Sequence, residues 1–260
     1  MQTLQRKMGE DVLVTRNLTK KYRNNTIVDH ISLSVKKGDI YALIGANGAG
    51  KTTFMRMICG LSRPSEGELE LYGQANGKAL RNARKKVGAL FESAAIYPNM
   101  SAMENLEVQR RYLGIGGGKE TANMLNELLE LVGLKDTGRK KAGGFSVGMK
   151  QRLGLAVALT ASPALLILDE PATDLELHEK EEFRNLLLQF NQEKGLTIFF
   201  SSHDLSETEQ LATRYGFMNR GKLVKEIHAE DLERECGRQG IPTEKYFLNL
   251  ITEGRMEERE

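Results

Sequence analysis

The stretch Gly45-Ala46-Asn47-Gly48-Ala49-Gly50-Lys51-Thr52-Thr53 constrains this chain more than any other. It follows the apolar run Ile40-Tyr41-Ala42-Leu43-Ile44 and precedes a helix-compatible stretch that reaches Cys59. The spacing fits G-x-x-x-x-G-K-[ST], in which glycines let backbone N–H groups turn inward around phosphate oxygens that side chains would keep away. A buried strand, a glycine loop and a helix N-terminus in that order make a phosphate-binding loop. Lys51 is then placed to reach the β- and γ-phosphates, and Thr52, followed by Thr53, to offer a hydroxyl to Mg²⁺. The helix dipole adds roughly 0.3–1 kcal/mol for an anion at a partly exposed end. A glycine turn without a ligand needs neither the lysine nor the threonine.

The net charge of +2 over 260 residues gives no bulk electrostatic case for nucleic acid or an anionic membrane. The longest uncharged run, 153–168, is shorter than the about 20 residues of a membrane span. It is interrupted by Thr160, Ser162 and Pro163 and ends on Asp169-Glu170, as a buried helix followed by a buried strand would. No apolar leader opens the chain, and Cys59 and Cys236 are too few and too far apart for a metal or disulfide framework. The expectation is a cytosolic chain that meets a membrane only through a partner.

Strand signals begin at Val12-Leu13-Val14 and recur where Ile31, Leu33 and Val35 alternate with polar residues. Lys20-Lys21-Tyr22 lies between them, with a ring that could stack on a purine or simply pack. A short strand is expected over 68–72 and a buried one over 87–91. Ser101-Ala102-Met103-Glu104 is a capping box, and apolar spacing predicts a helix over about 120–132. Residues 93–152 therefore read as a helical insertion in a β-α-β pattern. Further strands are expected at 165–168 and 197–200, a helix over 176–190, and a second capping box at Ser206-Glu207-Thr208-Glu209. Past Ile227 the chain reads as a charged tail with an apolar cluster around Tyr246-Phe247-Leu248, fraying from 253 onward. Strands alternating with helices imply an α/β fold with a mainly parallel sheet and a ligand at the strands' carboxyl ends.

The remaining chemistry collects at those ends. Asp169 follows four apolar residues and is placed to hold a water of the Mg²⁺ shell. Glu170, beside it, is placed to polarise an attacking water. His203, after the strand at 197–200, can reach a γ-phosphate. In Gly143-Gly144-Phe145-Ser146-Val147-Gly148-Met149-Lys150-Gln151-Arg152, Ser146 can cap a helix starting near Val147, and Gly148 lets backbone approach an anion. Two helix N-termini offered to phosphate exceed the needs of one site. A dimer, with each nucleotide between one loop and the other subunit's serine-glycine helix, resolves this.

With these motifs in this order, residues 12–227 resemble the ATP-binding cassette (ABC) family. Residues 45–53 match its P-loop, 145–152 its signature, 165–170 its aspartate strand, His203 its switch histidine, and Tyr22 the position that stacks on adenine. Ala89-Leu90-Phe91-Glu92-Ser93 with Tyr97-Pro98-Asn99 resembles the ATPase subunits of bacitracin and lantibiotic resistance exporters. The resemblance implies a P-loop NTPase core with an N-terminal antiparallel β part and an inserted helical subdomain. The boundaries it implies are 1–228 for the ATPase domain (core 1–92 and 153–228, helical subdomain 93–152) and 229–260 for the tail. It further implies ATP and Mg²⁺ as cofactors, and a homodimer or a heterodimer with another ABC ATPase. Membrane permease subunits are the implied partners, on the cytoplasmic face, with no nucleic acid. Three positions depart from the common pattern: Glu92 stands for a glutamine, as in lantibiotic-type members; Glu176 for an aspartate that couples the two sites; and Val147 for a glycine. The alternatives are a soluble ABC ATPase acting as an assembly factor, and a weakly hydrolysing regulatory module motivated by Glu92 and Glu176.

Overall fold

A computed structural model describes residues 10–91 and 95–256. Strands β1 (Asp11–Tyr22) and β2 (Asn25–Lys36) form an antiparallel hairpin, and β4 (Glu66–Leu71) joins the other side of β1. The second sheet has six strands. β3 (Ile40–Ile44) carries the glycine loop, β6 (Leu165–Asp169) and β7 (Thr197–Ser202) lie on one side of it, and β8 (Arg214–Asn219) on the other. With β5 (Val87–Phe91) and β9 (Lys222–His228) at the edges, the order is β5-β6-β7-β3-β8-β9. All neighbours run parallel except β8 and β9, which form an antiparallel pair.

The strand pleat sorts the core into two faces. Ile40, Ala42 and Ile44 belong to one buried cluster and Tyr41 and Leu43 to the other; Leu166 and Leu168 divide from Leu165 and Ile167 in the same way. One face is covered by the antiparallel sheet and α1 (Lys51–Cys59), which contributes Phe54, Met55, Met57 and Ile58. α2 (Gly77–Arg84) adds Ala83 to that face. On the opposite face lie α5 (Val147–Leu159) and α6 (Leu177–Lys194), and α3 (Ala102–Tyr112) and α4 (Lys119–Leu131) join the same buried cluster by packing on each other and on α5. The expected α/β architecture, with its antiparallel N-terminal part and helical insertion, is therefore present. The capping box at the head of α3 is complete: Glu104 N–H donates to the Ser101 hydroxyl at 3.2 Å and Ser101 N–H to the Glu104 carboxylate at 2.6 Å. α5 runs unbroken through position 152.

Two expectations fail. No helix starts at Ser206, because its hydroxyl and N–H both go to Asp204 Oδ1, at 2.6 and 2.9 Å, and residues 206–211 form turns. Glu209, the partner such a box requires, instead accepts a hydrogen bond from Thr243. The C-terminal segment is also more than a charged tail. α7 (Ala229–Gln239) and α8 (Thr243–Met256) fold back, and Tyr246, 4% exposed, sets its ring 6.3 Å from that of Phe217 in β8. The backbone stays helical to Met256, past the point where fraying was expected.

Candidate functional site

Parallel neighbours β3, β7 and β6 end together, so the residues just beyond them share one rim. Ile44 pairs with Ser202 and Leu168 with Phe200, which brings Gly45, Asp169, Glu170 and His203 to the same edge. Gly45 N–H donates to the Ser202 carbonyl at 3.2 Å. Ala46, Asn47 and Gly48 are exposed, whereas Gly45 and Ala49 are buried. A Cβ on Gly45 would lie 2.4 Å from the Met218 carbonyl, and one on Gly50 2.5 Å from that of Ile27. Gly50 also takes φ +103°, so glycine is required there twice over. Gly50 precedes α1, whose first turn holds Thr52 and Thr53, both half-buried, and has no acidic side chain to compete with an anion.

Lys51 is 5% exposed and donates to the carbonyls of Gly45 (2.6 Å) and Ala46 (3.3 Å). Its ammonium lies 3.0 Å from Glu170 Oε1. The other carboxylate oxygen of Glu170 meets His203 Nδ1 at 2.6 Å and accepts the Thr173 hydroxyl at 3.0 Å. With the carboxylate ionised, Nδ1 carries the shared proton. Burial pushes the Glu170 carboxyl up, but hydrogen bonds from His203 and Lys51, with the charge on Lys51, outweigh it and hold the carboxyl below its ordinary value. The residue sits at φ +49°, an uncommon conformation for a non-glycine that turns its side chain back over the strand ends.

Asp169 is fully buried. Its Oδ1 accepts the Ser201 hydroxyl at 2.7 Å, and the same hydroxyl accepts Glu170 N–H at 3.0 Å. Its Oδ2 is buried without a hydrogen-bond partner. A lone carboxylate oxygen of that kind needs a cation or water. Among the described residues no cluster of three or more His, Cys, Asp or Glu side chains could hold a metal unaided. Mg²⁺ takes one or two carboxylates together with waters and phosphate, so Asp169 with the Thr52 hydroxyl fits it. Glu92, expected in the same region, lies outside the described residues.

Ser146 caps α5, accepting Met149 N–H at 3.2 Å. The first turn of α5, like that of α1, contains no acidic residue of its own. Gly148 is buried, and the space left by its missing side chain is filled from α6: a Cβ there would lie 2.2 Å from Glu179 Oε1. Tyr22 is 52% exposed at the tip of the β1–β2 hairpin, with Lys20 Nζ 4.7 Å from its ring centroid and its hydroxyl 3.4 Å from Ser62 Oγ. The hydrogen bonds that gather Lys51, Glu170 and His203 do not extend to Tyr22, Ser146 or Gly148. Sequence reasoning missed Ser201, Thr173, Gln151 and Glu179. Only Ser201 carried a local signal, as a serine two residues before His203 at a strand end.

A glycine loop between a central parallel strand and a helix, facing an acidic pair from the strand beyond its neighbour, defines a P-loop nucleotide hydrolase. The family model described as ABC transporter matches residues 28–173. The chain is 42% identical over 223 residues to the bacitracin transport ATP-binding protein BcrA of Bacillus licheniformis, covering 86% of this chain and 72% of that protein. To the lantibiotic transport ATP-binding protein SrtF of Streptococcus pyogenes it is 39% identical over 231 residues, covering 88% and 97%. The ATP-binding cassette MJ0796, solved as a dimer in a post-hydrolysis state with ADP and Pi, superposes with a TM-score of 0.75 at 25% identity, covering 84% and 98%. The chain belongs to the ABC transporter family and is one of its ATPases. Among the described residues no helix is long and apolar enough to cross a membrane.

Proposed function

We propose that this chain is the ATP-hydrolysing subunit of an exporter, working as a pair of cassettes, alike or one of each kind, that close on Mg-ATP and reopen after hydrolysis. Residues 1–228 form the ATPase domain, with 93–152 as its helical subdomain. The observation that carries the reading is the Lys51–Glu170–His203 cluster at the ends of β3, β6 and β7. The N–H groups of 45–50 and the start of α1 cradle the phosphates, Lys51 moves from the loop carbonyls to the β- and γ-oxygens, and Thr53 assists. Mg²⁺, when bound, neutralises charge on the phosphates. Thr52, Asp169 and Glu92 hold its region. Glu170 accepts the proton side of the attacking water, and His203 fixes the carboxylate and senses the γ-phosphate. Tyr22 stacks on the adenine, while Ser146 and Gly148 act on the nucleotide held by the other cassette.

The names of BcrA and SrtF, for bacitracin transport and lantibiotic transport, support an antimicrobial-peptide cargo, and the proposal adds permease subunits that seat the chain at the cytoplasmic face of a membrane. Purified chain, alone and with a co-purified polytopic membrane protein, is expected to release phosphate from Mg-ATP. Lys51→Ala is expected to abolish that release, and sedimentation to show a dimer only with ATP. Turnover that survives Lys51→Ala, or one oligomeric state under every nucleotide condition, would overturn the reading.

A further inference from the structure

α5 and the turn that carries Glu170 are joined by one buried hydrogen bond. Gln151, 9% exposed on α5, donates its side-chain amide to the Pro171 carbonyl at 2.7 Å. Pro171 immediately follows Glu170, and the next residues of the turn hold the same carboxylate: the Thr173 hydroxyl donates to Glu170 Oε2 and Thr173 N–H to the Glu170 carbonyl at 3.4 Å. The two elements also face each other across a cleft of about 360 Å³, lined by Val147, Lys150 and Gln151 from one side and Glu170, Pro171 and Thr173 from the other. Below it Arg152 pairs with Glu182 at 3.0 Å and Gly148 meets Glu179, so α5 rests on α6 through two contacts four residues apart on one face. The start of α5 cannot move without carrying the Glu170 turn or breaking the Gln151 bond.

We infer that Gln151 is a positioning residue that ties the Ser146 end of α5 to the backbone holding Glu170. The inference rests on the dimer proposed above. There, the Ser146 end of a chain contacts the nucleotide on the partner's loop, while Glu170 of the same chain serves its own. The Gln151 bond then makes occupancy of one site felt at the carboxylate of the other.

The test is steady-state phosphate release against ATP concentration for wild type, Lys51→Ala, Gln151→Met and Gln151→Glu, with a melting temperature for each. Methionine keeps the volume without a donor, and glutamate keeps the shape but turns an acceptor toward the Pro171 carbonyl. Expected for Gln151→Met are a kcat about tenfold lower, equivalent to about 1.4 kcal/mol, and a KM within twofold of wild type. Its Hill coefficient is expected to fall from above unity toward unity, with Gln151→Glu lower again in kcat and both melting near wild type. A Gln151→Met enzyme with wild-type kcat and cooperativity overturns the role of Gln151, as does a loss that tracks melting temperature and recovers on cooling. Hydrolysis persisting in Lys51→Ala overturns the nucleotide-site reading and this inference together. Lys51→Ala inactive beside an unaltered Gln151→Met overturns the inference alone.

Discussion

Lys51 and Glu170, 119 positions apart in the sequence, form an ion pair of 3.0 Å at the mouth of the central sheet, with the lysine 5% exposed. The ammonium also satisfies two loop carbonyls. A buried lysine charge is thus neutralised by the carboxylate proposed to activate water, and on that proposal phosphate oxygens entering the loop compete for the same ammonium. The proposed function therefore links binding of a triphosphate to release of Glu170 from Lys51.

Replacing Glu170 with glutamine keeps the shape and one accepting oxygen, but turns an amide donor toward either Lys51 or the His203 and Thr173 donors and removes the proposed base. Hydrolysis is expected to fall about 10²- to 10⁴-fold, the range for losing a general base. ATP binding and the ATP-dependent dimer are expected to persist. Phosphate release and sedimentation check both; turnover near wild type would remove Glu170 from its role.

The acid limb of stability reports on the same cluster. Because the folded-state carboxyl of Glu170 is held below its ordinary value, its stabilising contribution is present above the unfolded-state pKa and is lost as pH falls through the folded one. Melting temperature of the wild type is expected to drop more steeply than that of Glu170→Gln from about pH 5 downward. His203→Ala removes one of the hydrogen bonds that depress the carboxyl, so the drop keeps its onset, which the unfolded-state pKa sets, but is shallower and complete at a higher pH. Parallel melting curves for wild type and Glu170→Gln across that range would contradict the assignment.

What the sequence disclosed depended on how far apart the interacting groups lie. Gly45 to Thr53, the Ser101–Glu104 box and the Ser146 cap are interactions within four residues or fixed spacings, and each appears where expected. Ser201 with Asp169, Gln151 with Pro171 and Glu179 with Gly148 span 20 to 32 positions and exist only because β6 neighbours β7 and α5 lies on α6. α2 was not foreseen because it buries only Ala83, leaving no apolar stripe. The box at Ser206 had the right letters, but Asp204 lies two residues upstream and takes the serine. A capping pattern cannot register that competition.

Gly45 and Gly148 both exclude a side chain, for different neighbours, and alanine separates them. At Gly45 the added Cβ meets the backbone carbonyl of Met218, which cannot rotate away, and the expected cost is about 1–3 kcal/mol of stability with loss of ATP binding. At Gly148 it meets the carboxylate end of Glu179, which can swing aside, so stability is expected to change by under about 1 kcal/mol. The ATP-dependent dimer is nonetheless expected to be lost in Gly148→Ala, and adding Glu179→Ala should not restore it. Chemical denaturation and sedimentation distinguish the two; a dimer rescued by Glu179→Ala would place the role of Gly148 within its own chain.

Tyr246 connects the last helix to the site through packing. Its ring lies against Phe217, which pairs with Ile44 of the P-loop strand, and the next carbonyl along β8, that of Met218, closes on Gly45. Its hydroxyl donates to Glu235 at 2.5 Å and accepts from Lys225, which anchors α8 to α7 and β9. Tyr246→Ala empties a nearly closed site and is expected to cost about 3–5 kcal/mol, whereas Tyr246→Phe forfeits only hydroxyl bonds, about 1 kcal/mol. Because β8 backs the glycine loop, the alanine variant is also expected to bind ATP more weakly at temperatures where it remains folded, and the phenylalanine variant to bind normally. Urea denaturation with nucleotide titration measures both. An alanine variant as stable as wild type would show that α8 is an attachment the cassette does not depend on.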